Sequence, residues 1–222
     1  DTLNWIEGFE SGDVFWDVGS NIGVFSLYAA RVCNAQVVAF DPLPWNYAAL
    51  MKNIEANNLH NKIMAFCLAV TDEPRIDKLY MSSEAMTEGG ATCPFGEDSS
   101  NYKNVDTVKP VYTSTALGMS LDNMASNLAA PFPNHLKIDI DGHEQPVITG
   151  AMNILQDERL KSVMFEINGD KNTHDLVVKQ LADAGLILIK TEWPGGAGQS
   201  NHRPDVDKDT TNNFFERVRP GE

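Results

Sequence analysis

The stretch Phe15–Phe25, FWDVGSNIGVF, runs an apolar strand into Asp-Val-Gly, turns through Ser-Asn-Ile to a second glycine and continues with the character of a helix. Gly19 and Gly23 let the backbone take positive φ and let another group touch the main chain. The helix starting behind them directs N–H groups without intrahelical partners at whatever lies in front. Such a strand-turn-helix unit places the turn at the carboxyl edge of a sheet, where doubly wound α/β folds bind ligands. The spacing is GxxxG with Asn21 at its centre, so neither the GxGxxG dinucleotide fingerprint nor the GKS/GKT ending of a phosphate-binding loop is present.

Working outward, strand and helix candidates alternate along most of the chain, the sign of a mainly parallel sheet with helices on both faces. DVFWDV, QVVAFD, KIMAFCLAV, LKIDI and SVMFEI read as five strands, and LILIKTEW and NFFERV as a last pair. Helices are expected from about Gly23 to Arg31, from Pro44 along the stripe Tyr47, Leu50, Met51, Ile54, and along Val147, Ile148, Ala151, Ile154, Leu155 behind Pro146. Another spans about Thr173 to Ala184 and is stopped by Gly185. Ser120 is placed to cap a short helix. At 222 residues, one α/β domain with sizeable loops is expected, with excursions at about 82–115 and 194–213. The first excursion reads either as a lid or as a surface loop, the second as disordered.

A formal net charge of −14 and a pI near 4.6 argue against a nucleic-acid partner, which needs clustered Lys and Arg. No apolar run approaches the length of a membrane span, and the first residues lack a basic segment followed by an apolar one, so a cytoplasmic protein is expected. Cys33, Cys67 and Cys93 are widely spaced and form no CxxC pair, which speaks against zinc or a disulfide framework. Cys67, in an apolar strand-like run, reads as a buried structural thiol.

Asp41 ends the second strand roughly 20 residues beyond the glycine turn, where α/β nucleotide sites place an acid for ribose hydroxyls. With these features on the page, DVGSNIGVFS, VVAFDPLPWNYAALMKNIEANN, SLDNM, LKIDIDGHEQPVITGA and VMFEI together resemble the successive motifs of FkbM-type methyltransferases, a branch of the class I S-adenosylmethionine-dependent enzymes. The resemblance covers Gly12 to Asn168. It implies a Rossmann-like, doubly wound, seven-stranded sheet whose last strand inserts antiparallel. It further implies S-adenosylmethionine across the turn, with Asp17, Gly19, Asn21 and Gly23 around its amino-acid and sulfonium part, Asp41 at the ribose, and adenine near Val70 to Asp72. The acceptor it implies is a hydroxyl of a carbohydrate, glycolipid or natural product.

KIDIDGHE gathers Asp139, Asp141, His143 and Glu144 at the carboxyl end of the fourth strand. Carboxylates this close raise one another's pKa unless a cation or hydrogen-bond donors compensate, so the cluster calls for a partner. Methyl transfer to an alcohol needs a positioned acceptor and a group that takes its proton. His143 titrates in the useful range and is the first candidate base, Asp139 or Asp141 the next, with Glu144 as orienter. A divalent metal on Asp139, Asp141, Glu166 and Asn168 is the less favoured arrangement. Trp45, Tyr102, Tyr112 and Trp193 are candidates for a sugar platform. The rival readings are a noncatalytic module that binds the same nucleoside and, without its glycine fingerprint, a nicotinamide dehydrogenase.

Overall fold

The structure, a computed structural model, describes residues 2–82, 86–90, 93–96, 111–128, 130–140, 143–168, 171–192 and 210–218. After α1 (Thr2–Glu7) come β1 (Val14–Val18), α2 (Val24–Val32), β2 (Gln36–Phe40), α3 (Pro44–Ala56) and β3 (Ile63–Phe66). Then follow β4 (Ala69–Val70), β5 (Arg75–Met81), β6 (Tyr112–Met119), α4 (Leu121–Ser126), β7 (His135–Ile138), α5 (Glu144–Thr149) and α6 (Met152–Gln156). β8 (Ser162–Ile167), α7 (Lys171–Asp183), β9 (Leu186–Glu192) and β10 (Thr211–Arg217) complete the described elements.

The main sheet has seven strands in the order β3-β2-β1-β7-β8-β10-β9. The pairs from β3 to β8 are parallel, and β10 runs antiparallel to both β8 and β9. The order reverses between β1 and β7, which makes the crevice outside their carboxyl ends the place for a ligand. Alternation along the strands sends Trp16, Val18, Val38, Phe40, Leu136 and Ile138 to one face, where they meet residues of α4 to α7. Phe15, Val37 and Ala39 go to the other face and meet α1, α2 and α3. No helix among the described residues is long and apolar enough to cross a membrane.

Several expectations need correction. KIMAFCLAV is two strands: the chain leaves the main sheet at Cys67, and Ala69–Val70 pairs with Gly118–Met119 in a second sheet ordered β4-β6-β5. Cys67 lies at that break and is exposed, not a buried core thiol; Cys33 is the buried one. The expected excursion at 82–115 includes the start of β6, which pairs antiparallel with β5 through Arg75–Gly118 and Met81–Tyr112. The second excursion falls largely outside the described residues.

The stripe behind Pro146 breaks into α5 and α6 at Gly150. A Cβ there would lie 2.2 Å from the Thr71 carbonyl oxygen, and the Gly150 carbonyl accepts from Asp122 N. The Asp122 carboxylate in turn accepts from Asn153 N and Ile154 N at 3.0 Å each, capping the new helix. Gly185, at φ 85°, lies just beyond α7, and Ser120 caps α4 by accepting from Asn123 N.

At the opposite rim, His135 bridges Ser162 Oγ and Asp13 Oδ2 at 2.8 Å each. The Trp5 indole donates to the same Ser162 oxygen at 2.9 Å, and Phe9 stacks on the imidazole, which fastens the N-terminal segment to the sheet.

Candidate functional site

β1 ends in the turn Gly19–Gly23, and the register of β1 with β2 and β7 brings this turn between Asp41 and Asp139. Gly19 N and Ser20 N both donate to the Phe40 carbonyl, tying the turn to the end of β2. Both glycines are left-handed, at φ 76° and 92°, but what approaches them closely is protein. A Cβ on Gly19 would stand 1.9 Å from the Asp139 carbonyl oxygen, and one on Gly23 2.3 Å from the Leu50 Cδ1. The cavity-facing features of the turn are different ones. Gly23 is the N-cap of α2 and provides no side-chain cap, leaving first-turn N–H groups to an outside partner beside Val24 and Phe25.

In front of the turn lies a cavity of about 490 Å³. Its turn side is formed by Gly19, Ser20, Asn21 and Ile22, its floor by Lys137, Asp139 and Glu166. Phe40, Leu43, Leu68 and Val70 make an apolar flank suited to a flat ring, and Gly89 and Gly90 line it beside Asn21 of the turn. The Ser20 hydroxyl is buried on this wall without a hydrogen-bond partner among the described residues. An orphaned hydroxyl and uncapped helix N–H groups beside carboxylates suit a zwitterionic ligand with an apolar ring.

Asn21, at φ 52°, is fully engaged. Its amide N–H donates to Asp41 Oδ2 at 2.8 Å, and its Nδ2 reaches the carbonyls of Gly89 and Gly90 at 3.2 and 3.3 Å. Asn46, which sequence reasoning passed over, holds the same strand of backbone: its Nδ2 donates to Gly90 O at 3.0 Å and its Oδ1 accepts from Gly89 N at 2.8 Å. Asp41 lines the cavity, with Oδ1 accepting from Leu43 N. Burial pushes its carboxyl up to about 6 against the backbone hydrogen bonds that favour the charged form.

Asp17 does not face the cavity. It points to the α2 side, wholly buried, accepting from Ser26 Oγ at 2.6 Å and standing 3.3 Å from Lys137 Nζ. Lys137 also reaches Asp139 Oδ2 at 2.9 Å, so the partner that the carboxylate cluster calls for is an ammonium from the same strand. Burial alone would strip Lys137 of its proton, but Asp17 and Asp139 hold it well above the usual lysine range. Its signal was readable: a lysine between Leu136 and Ile138 in a doubly covered strand must have a charged neighbour, and Asp139 lies two residues on.

His143 lines the cavity wall, with Nε2 3.3 Å from Thr71 Oγ1 and the Phe95 ring edge-on beside it. Burial, then the charge of Arg75, lowers it to about 4, so the imidazole is neutral at pH 7. The unfolded chain takes up its proton near 6.5 and the native state only near 4, so stability falls as pH drops through that window. Asp41 has the opposite sign, its native value being the higher. Relative to His143→Gln, the wild type should therefore lose about 2 kcal/mol between pH 7 and pH 4.5. Paired urea melts at the two pH values measure this, and a constant difference would contradict it.

Glu144 is not on the cavity wall; its Oε1 accepts from Asn168 N at 3.1 Å. Asp141 lies outside the described residues, as do Tyr102 and Trp193. Trp45 packs half-buried against the core beneath β5, and neither it nor Tyr112 lines the cavity.

Residues 17–188 match the Methyltransferase FkbM domain. The chain belongs to the FkbM methyltransferase family. The domain it carries is that of an S-adenosylmethionine-dependent methyltransferase. Two relatives of this FkbM domain are Hexuronic acid methyltransferase AglP of Haloferax volcanii, 27% identical over 82% of this chain, and 31-O-demethyl-FK506 methyltransferase FkbM of Streptomyces tacrolimicus, 24% identical over 86%. The FkbM chain described here spans 66% of the first and 79% of the second. The fold is shared with a precorrin-6y C5,15-methyltransferase of Geobacter metallireducens (TM-score 0.53, 12% identity, 98% of this chain and 86% of that one). An rRNA methylase of Streptococcus thermophilus shares it too (TM-score 0.54, 9% identity, 98% and 95%).

Proposed function

We propose that this FkbM domain transfers a methyl group from S-adenosylmethionine to a hydroxyl of a small molecule or glycan. The observation that carries the reading is the cavity floor: a carboxylate, Asp139, fixed by a buried ammonium and set beside the glycine turn. A pure nucleoside binder has no use for a charge held in this way. The relatives named for a hexuronic acid and for a demethylated natural product support an oxygen acceptor on a sugar or a related scaffold.

When bound, the cofactor supplies an electrophilic methyl on a sulfonium. Ser20, the amide groups opening α2 and the turn backbone would hold its amino-acid end, Asp41 its ribose, and Phe40, Leu43, Leu68 and Val70 its adenine. Asp41 can take ribose hydroxyls without giving up its two backbone donors, because each carboxylate oxygen accepts more than once. The acid-rich cavity favours a cationic sulfonium over the neutral thioether product.

The test is calorimetric titration with S-adenosylmethionine, S-adenosylhomocysteine and NAD, followed by transfer of a labelled methyl to a panel of neutral sugars, uronic acids and polyol natural products. Binding of the first two and labelling of an oxygen is the expected result. Binding without transfer to any member would favour the noncatalytic module, and a response to NAD alone would end the reading.

A further inference from the structure

Three neighbouring strands set four ionisable side chains on two successive levels of one face. Asp17 on β1 stands opposite Lys137 on β7, Asp139 follows two residues later on the same side, and Glu166 comes one residue past the Ile138–Phe165 pair on β8. Lys137 is 1% exposed and covered by the Phe25 ring, 5.1 Å from its ammonium. Asp139 keeps about a third of its side chain open, 34%, and it borders the cavity together with Glu166.

We propose that Lys137 is a positioning residue that fixes the Asp139 carboxylate, braced by Glu166, as the group receiving the acceptor's hydroxyl proton. This rests on the O-methyl transfer reading above. The alternatives around the cavity are each committed elsewhere. Asp17 is sealed behind the turn, Asp41 is held by two backbone amides, and His143 is directed at Thr71 with Arg75 and Asp72 as its charged neighbours. Glu144 turns to the Asn168 amide.

Asp139 and Glu166 are joined by a hydrogen bond, and two carboxyls can share one only through a proton. The ammonium that touches Asp139 favours the charged form of that carboxyl. Burial pushes Asp139 up, yet Lys137 and the Glu166 hydrogen bond outweigh it and hold the carboxyl below its ordinary value. Asp139 is thus held toward its charged, proton-accepting form by the ammonium beside it. On methylation the acceptor's O–H bond breaks and its proton passes to Asp139. The acceptor's electron pair forms the O–C bond, and the pair of the broken C–S bond stays on sulfur.

The experiment compares wild type with Lys137→Met, and with Asp17→Asn/Lys137→Met, which removes one charge of each sign should the single variant fail to fold. Carboxyl 13C NMR, with Asp139 assigned by its loss in Asp139→Asn, follows the carboxylate in cofactor-free protein, and kcat/KM for methyl transfer is measured against pH. The expected result is an Asp139 midpoint raised by at least about one pH unit in either variant. The acid limb of kcat/KM should move with it by the same amount, so that below the new midpoint the variant loses up to about tenfold against wild type and recovers as pH rises, with S-adenosylmethionine still bound. An unmoved midpoint, an acid limb that stays in place, or full turnover by Asp139→Asn overturns the proposal. A wild type that binds the cofactor but methylates no hydroxyl strikes the function reading instead, and the NMR titration still decides whether Lys137 governs Asp139.

Discussion

Gly19→Ala weakens S-adenosylmethionine binding by at least about 100-fold, the loss expected when a turn is displaced by a clash that nothing flexible can absorb. The added methyl would sit 1.9 Å from the Asp139 carbonyl oxygen and 2.9 Å from its carbonyl carbon, so main chain meets main chain. An L side chain at φ 76° adds about 1–2 kcal/mol on top. Either the turn leaves the cavity wall or the end of β7 shifts and takes Asp139 with it; both outcomes damage the site. Gly23→Ala is the control. Its backbone is as left-handed, but the atom it meets is the end of the Leu50 side chain, which can swing away. Titration calorimetry on the two variants should show the larger loss for Gly19→Ala, and equal losses would sink the backbone-clash account.

Asp17→Asn should cost about 3 kcal/mol or more of folding stability, near the lower end for breaking a buried ion pair because Lys137 retains Asp139. The substitution keeps the shape and an acceptor for Ser26, so the loss reports charge. Neither Asp17 nor Lys137 is in contact with water to any useful degree, at 0% and 1% exposure. Adding Lys137→Met to Asp17→Asn should return much of the loss, since a buried pair removed whole leaves a smaller penalty than either half. Urea unfolding of the two single variants and the double one measures the coupling. Strict additivity would mean that the two groups do not stabilise each other.

The strands of the main sheet were legible because strands covered on both faces read as nearly continuous apolar runs, as in Val37–Phe40 and, interrupted only by Asp17, Val14–Val18. β5 was not, because Arg75, Asp77 and Lys78 lie on a half-solvated strand and blur the period. The break at Cys67 was hidden for the opposite reason: apolar residues continue across it, and hydrophobicity does not report which sheet a strand joins. At the site, the placing of the turn and Asp41 beside one cavity follows from their spacing. The reason for the glycines does not, since the atoms that exclude a Cβ belong to Asp139 and Leu50, remote in sequence. Ser20 is an ordinary turn residue until its lack of a partner is seen. For Asp17, placed near the cofactor by the family resemblance, strand alternation between Trp16 and Val18 gives a side chain on the α2 face.

The position of β10 has a consequence for how the chain reaches this state. It is the last described strand in sequence yet the sixth in space, wedged between β8 and β9, so the sheet cannot grow simply by adding strands at its rim. Until Thr211–Arg217 arrives, β8 and β9 each present an unsatisfied edge, and the side chains awaiting cover include Phe165 and Leu186. Closure therefore depends on the final stretch of the described chain, and a truncation before Thr211 would leave a sheet split in its interior, with two further sticky borders.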